Sequence, residues 1–129
     1  MWTPQNITER ILSGSLLPDS MFQSLEPDAL LDQHDSSCFD DDWVHAAEAL
    51  QSAWDSYPDA RAATAAIDAV RELAFKRTFS ASGGNPDLAA AVSDDFELIY
   101  REALLGAESP FITALQKAYD ADQIPHEAA

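Results

Sequence analysis

The side chains of this sequence that could do chemistry are mostly carboxylates, joined by three histidines and a single cysteine, Cys38. Residues 40–42 are consecutive aspartates, but a calcium loop needs alternating ligands, a central glycine and a closing glutamate. His45 and Glu48 lie one helical turn apart, but helical carboxylate metal sites use the order Glu-x-x-His and a second such pair. A thiol among carboxylates is not stabilised as the thiolate that nucleophilic cysteines need. These patterns predict no metal, no cofactor and no catalytic residue.

Two further patterns are similar to parts of known enzyme sites. His34-Asp35 resembles the adjacent pair of the helical metal-dependent phosphohydrolases, but those sites also need an upstream histidine, and none precedes position 34. Residues 83–86, Gly-Gly-Asn-Pro, come before a predicted helix, but they lack the lysine and the serine or threonine of a phosphate-binding loop. We therefore interpret the chain as a binding protein and not as an enzyme.

The charge of the chain is strongly one-sided. It has 23 acidic residues against 7 lysines and arginines, so its formal net charge is −16. Residues 11–60 contain eleven acidic residues and neither lysine nor arginine, whereas residues 61–80 carry a net charge of +2. Phosphate backbones and anionic lipids repel carboxylates, which argues against direct binding to nucleic acid or to a membrane. The stretch 11–60 instead predicts a negative surface for a basic protein partner, either a toxin or a nucleic-acid-binding protein.

The partner-binding residues that we predict combine carboxylates with aromatic anchors. Carboxylates speed association by electrostatic steering, whereas affinity needs desolvated side chains such as tryptophan and tyrosine. Trp54 continues an apolar helical stripe, which favours its burial, and Tyr57 stands at the break before Pro58, which favours its exposure. An alternative for the consecutive aspartates is that they only complement the dipole at a helix N-terminus. The predicted set is Asp35, Asp40, Asp41, Asp42, Trp54, Asp55, Tyr57 and Asp59.

Helices must position these residues, since both the composition and the spacing of apolar residues are helical. Alanine occurs 23 times, against 14 for valine, isoleucine and threonine together. Capping residues followed by proline mark three helix starts, and glycines mark two stops, at Thr3-Pro4, Asn85-Pro86, Ser109-Pro110, Gly14 and Gly106. Apolar residues at intervals of three and four predict helices over 4–13, 27–33, 40–56, 59–80, 86–105 and 110–121, with a turn at 18–24.

The sequence predicts an all-α protein, a single compact bundle of five to six helices, with residues 1–129 forming one domain. The large side chains expected to anchor its core are Trp43, Leu50, Trp54, Ile67, Phe75, Phe96, Ile99 and Phe111. One cysteine allows no intramolecular disulfide, and no apolar run is long enough to span a bilayer. We therefore expect a cytoplasmic protein.

As a class, a small acidic helical chain of this kind resembles the compact immunity proteins of bacterial toxin systems. Tyr57-Pro58 after a predicted helix is similar to the aromatic–proline turn that some of them use. The resemblance implies a protein that neutralises a basic, nuclease-type toxin by covering its active-site groove. Two alternatives stay open: a DNA-mimic inhibitor of a DNA-binding protein, and a helical regulatory or structural module that forms a homodimer.

Overall fold

Helices account for most of the chain that the computed structural model describes, which comprises residues 2–22, 37–107 and 109–125. They are α1 Pro4–Ser13, α2 Ser37–Asp55, α3 Ala60–Ala81, α4 Pro86–Leu105 and α5 Pro110–Asp120. A short 3₁₀ turn, Asp19–Met21, lies within the turn predicted at 18–24. The helix predicted over 27–33 falls outside the described residues. The all-α bundle is confirmed, and none of these helices is long and apolar enough to cross a membrane.

The predicted helix starts and stops have the backbone geometry that their residues favour. The side chains of Thr3, Asn85 and Ser109 each accept a hydrogen bond from the backbone amide three residues further on. Gly14 and Gly106 end α1 and α4 in the left-handed conformation, with φ of 84° and 68°. Each cap satisfies backbone groups that a helix end leaves without a helical partner. The bounds of α1, α4 and α5 therefore agree with the prediction to within one residue.

Several acidic residues lie differently from the prediction. Helix α2 begins three residues before the predicted start at position 40, so that Asp40 is the acidic residue of its first turn. Asp41 and Asp42 lie beyond that turn, where the helix dipole stabilises a carboxylate less. Asp59 is expected in the first turn of α3 but precedes it, and its side chain caps no backbone amide. The favourable effect of a carboxylate at a helix N-terminus therefore explains the position of only one of these four residues, Asp40.

The central helix of the bundle is α4. Its side chains are buried on nearly every side, including the fully buried Leu88, Val92, Phe96 and Ile99. Helix α3 makes the most extensive contact with α4, and α1, α2 and α5 each contact it as well. The predicted core anchors are mostly buried, with Leu50, Trp54, Ile67, Phe96 and Ile99 inside and Trp43, Phe75 and Phe111 half-buried.

The N-terminal segment contributes buried residues to the core that were not among the predicted anchors. Ile7, Ile11, Leu16 and Leu17 are fully buried. The chain turns inward after α1, and the Arg77 Nε on α3 donates to the Leu17 carbonyl at 3.0 Å. This long-range hydrogen bond holds the segment between α1 and the 3₁₀ turn against α3.

Candidate partner-binding surface

The outward side of α2 carries a row of carboxylates. Asp41, Glu48 and Asp55 stand seven residues apart, which is close to two helical turns, so they lie above one another on the same side of the helix. The helical rise separates neighbours in this row by about 10.5 Å. All three residues are exposed, whereas Leu50 and Trp54 on the other side of α2 are buried. Helix α2 therefore presents carboxylates to solvent along most of its length.

Further carboxylates flank this row. Asp40 and Asp42 are exposed on either side of Asp41, and the exposed Asp59 follows in the turn before α3. Asp35 lies outside the described residues. We define the acidic face by five residues of α2, namely Asp40, Asp41, Asp42, Glu48 and Asp55. The structure thus brings four of the predicted carboxylates onto one helix and adds Glu48 to them.

No described cation neutralises the acidic face. Neither its five carboxylates nor Asp59 forms an ion pair with a lysine or arginine in the described part of the chain. The ion pairs within that part use acidic residues of the other helices: Arg10–Asp120 at 2.6 Å, Arg71–Asp94 at 2.8 Å, Arg71–Glu97 at 3.2 Å, Lys76–Glu72 at 2.7 Å and Arg101–Glu97 at 3.8 Å. Most cations are therefore engaged elsewhere in the bundle, and the charge of α2 faces solvent.

Polar contacts hold the C-terminal end of α2 on α4. The Arg101 Nη1 donates to Gln51 Oε1 at 3.1 Å, and Gln51 Nε2 donates to the Asp55 carboxylate at 2.8 Å. The Arg101 guanidinium also lies over the Trp54 ring, 5.0 Å from its centroid, in a cation–π contact. Together these contacts orient Asp55 at the end of the acidic face.

The two predicted aromatic anchors pack on each other. Trp54 is buried, with 8% of its surface exposed, as its place in the apolar stripe predicts. Tyr57 is half-buried, and its ring centroid lies 5.2 Å from that of Trp54 at an interplanar angle of 34°. Tyr57 is therefore less exposed than expected. The two rings pack on each other at the C-terminal end of α2, next to Asp55. Their contact with a partner stays a prediction.

A buried hydrogen-bond network fixes the first half of α2. The fully buried Asp95 carboxylate on α4 accepts hydrogen bonds from Trp43 Nε1 at 2.9 Å and from the Tyr119 hydroxyl at 2.6 Å. The network joins α2, α4 and α5. Buried polar groups are costly unless they are hydrogen-bonded, so the network favours one arrangement of the three helices. Sequence reasoning missed it because the bonded residues lie 52 and 24 positions apart.

The buried Tyr119 is expected to make the free energy of unfolding fall as the pH rises above about 10. Burial, and next the charge and hydrogen bonding of Asp95, raise the pKa of Tyr119 well above its usual value. Above about pH 10 the unfolded chain therefore loses a proton that the folded chain keeps, which favours unfolding. Urea unfolding between about pH 8 and 11 should show a steeper decline for the wild type than for Tyr119→Phe. An equal decline in the wild type and in Tyr119→Phe would show that Tyr119 does not cause the loss of stability at high pH.

The possible metal pair of α2 belongs to the exposed surface. His45 and Glu48 are both exposed, and among the described residues no three histidine, cysteine, aspartate or glutamate side chains are grouped to hold a metal ion. Glu48 instead completes the carboxylate row. The signal that could have found it is the spacing of Asp41, Glu48 and Asp55 within a predicted helix.

The chain matches a known protein family. The family model described as immunity protein PIM1 matches residues 6–126. None of the curated proteins compared matches the chain. The matched range contains α2, α3, α4 and α5 completely and all but the first two residues of α1. It therefore includes the whole acidic face and the network that fixes α2 on α4.

Proposed function

The chain belongs to the immunity protein PIM1 family, and we propose that it neutralises a basic toxin by laying the acidic face of α2 over the toxin's substrate-binding groove. An immunity protein binds and inhibits a toxin, so the chain acts as an inhibitor and not as an enzyme. The observation that carries the proposal is the acidic face, five exposed carboxylates that pair with no lysine or arginine among the described residues. Such a surface is complementary to a groove lined with basic side chains.

The toxin class that fits this surface is a nuclease. A nuclease binds phosphates with lysines and arginines, and the same side chains can pair with the carboxylates of the acidic face. Association breaks no ion pair within the described part of the inhibitor, since those carboxylates make none there. The attraction extends over a Debye length of about 8 Å at physiological salt, so it also raises the encounter rate.

The charge density of the acidic face favours recognition of a particular protein over imitation of duplex DNA. From Asp41 to Asp55, α2 rises by about 21 Å. Duplex DNA of that length carries about 12 charges, whereas the acidic face has four carboxylates over the same span. A surface for one toxin needs only carboxylates that match the basic side chains of that toxin.

The candidate to test is a basic, toxin-like protein encoded by a neighbouring reading frame. We expect this protein to arrest bacterial growth when it is expressed alone, and co-expression of the chain to restore growth because the complex blocks the toxin's groove. With the purified proteins, nucleic-acid substrate should compete with the chain for the toxin. Continued growth arrest in cells that hold both soluble proteins in equal amounts would contradict the proposal.

A further inference from the structure

A groove of about 460 Å³ lies between α2, α5 and the segment that follows α5. Its apolar lining includes the half-buried Phe111 of α5, backed by the buried Phe39 of α2 and Ile124. Its charged lining residues are Asp42 and Lys117. The groove therefore combines an apolar interior with one charge of each sign.

Small residues on α5 create this groove. Phe111, Ala114, Leu115 and Ala118 recur at helical spacing on one side of α5, and the two alanines leave space beside the larger side chains. The rings of Phe39 and Phe111 form an aromatic wall, with centroids 5.3 Å apart and an interplanar angle of 52°. Phe111 is half-buried, so part of its ring is accessible from outside. A concave apolar wall of this kind suits a large apolar side chain.

The groove adjoins the acidic face, because Asp42 belongs to both. Exposed carboxylates steer a basic partner toward the surface, but exposed ion pairs contribute little affinity. Tight complexes concentrate their binding free energy in a few side chains that are buried in pockets. Among the described residues of α2, Val44 is the only large apolar side chain that is exposed, so the acidic face offers little apolar surface of its own to anchor a partner.

We propose that the groove receives one large apolar side chain of the toxin, and that a basic residue beside this side chain pairs with Asp42. The proposal rests on the proposed function and names the contact that holds the complex together. The position of the groove beside the acidic face identifies the occupant, because Asp42 belongs to both and a side chain that reaches the groove must project from a surface that also matches the acidic face.

The test is to fill the groove from its exposed edge. Ala114 lines the groove and is exposed, so Ala114→Phe adds a ring there without removing a buried contact. The dissociation rate of the complex with the neighbouring-gene toxin should rise by about ten-fold or more, while the association rate changes less than about two-fold. Ala69→Phe, at an exposed position of α3, is the matched control and should leave both rates unchanged. Ala114→Leu is a second variant, since leucine is a good helix former, and should act in the same direction.

The possible outcomes distinguish a failure of the groove proposal from a failure of the proposed function. Unchanged dissociation of folded Ala114→Phe and Ala114→Leu complexes would overturn the groove as the anchor site, while toxin binding itself would still support the proposed function. Conversion of a wild-type dimer to a monomer by Ala114→Phe, with unchanged toxin dissociation, would assign the groove to a second copy of the chain and also overturn the proposal. Failure of the wild type to bind the toxin would instead contradict the proposed function.

Discussion

Replacing Asp41, Glu48 and Asp55 with lysine is expected to slow association with the toxin by about 10- to 100-fold at low salt. These three residues form the row of exposed carboxylates along one side of α2, which we call the outer row of the acidic face. A basic partner is expected to meet the protein there first. The replacements raise the net charge from −16 to −10, since each changes the charge by two. At about 1 M salt the Debye length shrinks to roughly 3 Å, so both proteins should associate at similar rates. Stopped-flow measurement across a salt series provides the comparison.

The matched control changes the net charge equally on other helices. Glu9→Lys, Asp68→Lys and Asp87→Lys replace exposed acidic residues of α1, α3 and α4, and should slow association far less. The carboxylates replaced in the outer row make no ion pair among the described residues, but Asp55 accepts a hydrogen bond from Gln51. The free energy of unfolding of the outer-row variant should therefore fall by about 1 kcal/mol, the usual cost of one lost hydrogen bond. Equal slowing in both triple variants would mean that the net charge, and not the location of the carboxylates on α2, governs the association rate.

The second large effect is on stability, where Phe96→Ala should lower the free energy of unfolding by about 3–5 kcal/mol. Phe96 is fully buried on α4, with its ring centroid 4.9 Å from that of Tyr119 and 6.4 Å from that of Trp2. Truncation therefore opens a cavity where the N-terminal segment, α4 and α5 meet. The loss is a large share of the roughly 5–15 kcal/mol that stabilises a typical domain. Urea unfolding followed by circular dichroism measures it.

A conservative replacement separates the cavity from other effects at this position. Phe96→Leu keeps most of the apolar volume, so its cost should be clearly smaller than that of Phe96→Ala. Where Phe96→Ala is folded, it should associate with the toxin at the wild-type rate, because the acidic face is unchanged. A loss below about 1 kcal/mol for Phe96→Ala would show that this part of the core repacks around the missing ring.

The helices were predictable because their signals are local. Thr3, Asn85 and Ser109 cap backbone amides three residues away, and Gly14 and Gly106 adopt the left-handed conformation that glycine allows without strain. The start of α2 was placed three residues too late. Its first turn lacks the capping residue followed by proline that marked α1, α4 and α5, so the sequence offered no comparable boundary signal.

The candidate site was predictable only in part. The charge of residues 11–60 indicated a negative surface, and helical spacing places Asp41, Glu48 and Asp55 on one side of α2. The burial of Trp54 followed from the apolar stripe, but the packing of Tyr57 on it did not, since a break before proline says nothing about tertiary contact. The groove was missed because Phe39 and Phe111 come from distant parts of the chain, and helical spacing within one element cannot bring them together.

Carboxyl footprinting of the toxin complex tests most directly whether the acidic face is the binding surface. Carbodiimide and glycine ethyl ester label each accessible carboxylate, and mass spectrometry compares the free chain with the complex. We predict that labelling of Asp41, Glu48 and Asp55 falls strongly on binding, while the exposed Asp68 and Asp87 on α3 and α4 keep their labelling. Unchanged labelling of the acidic face, with protection at Asp68 or Asp87 instead, would contradict the account.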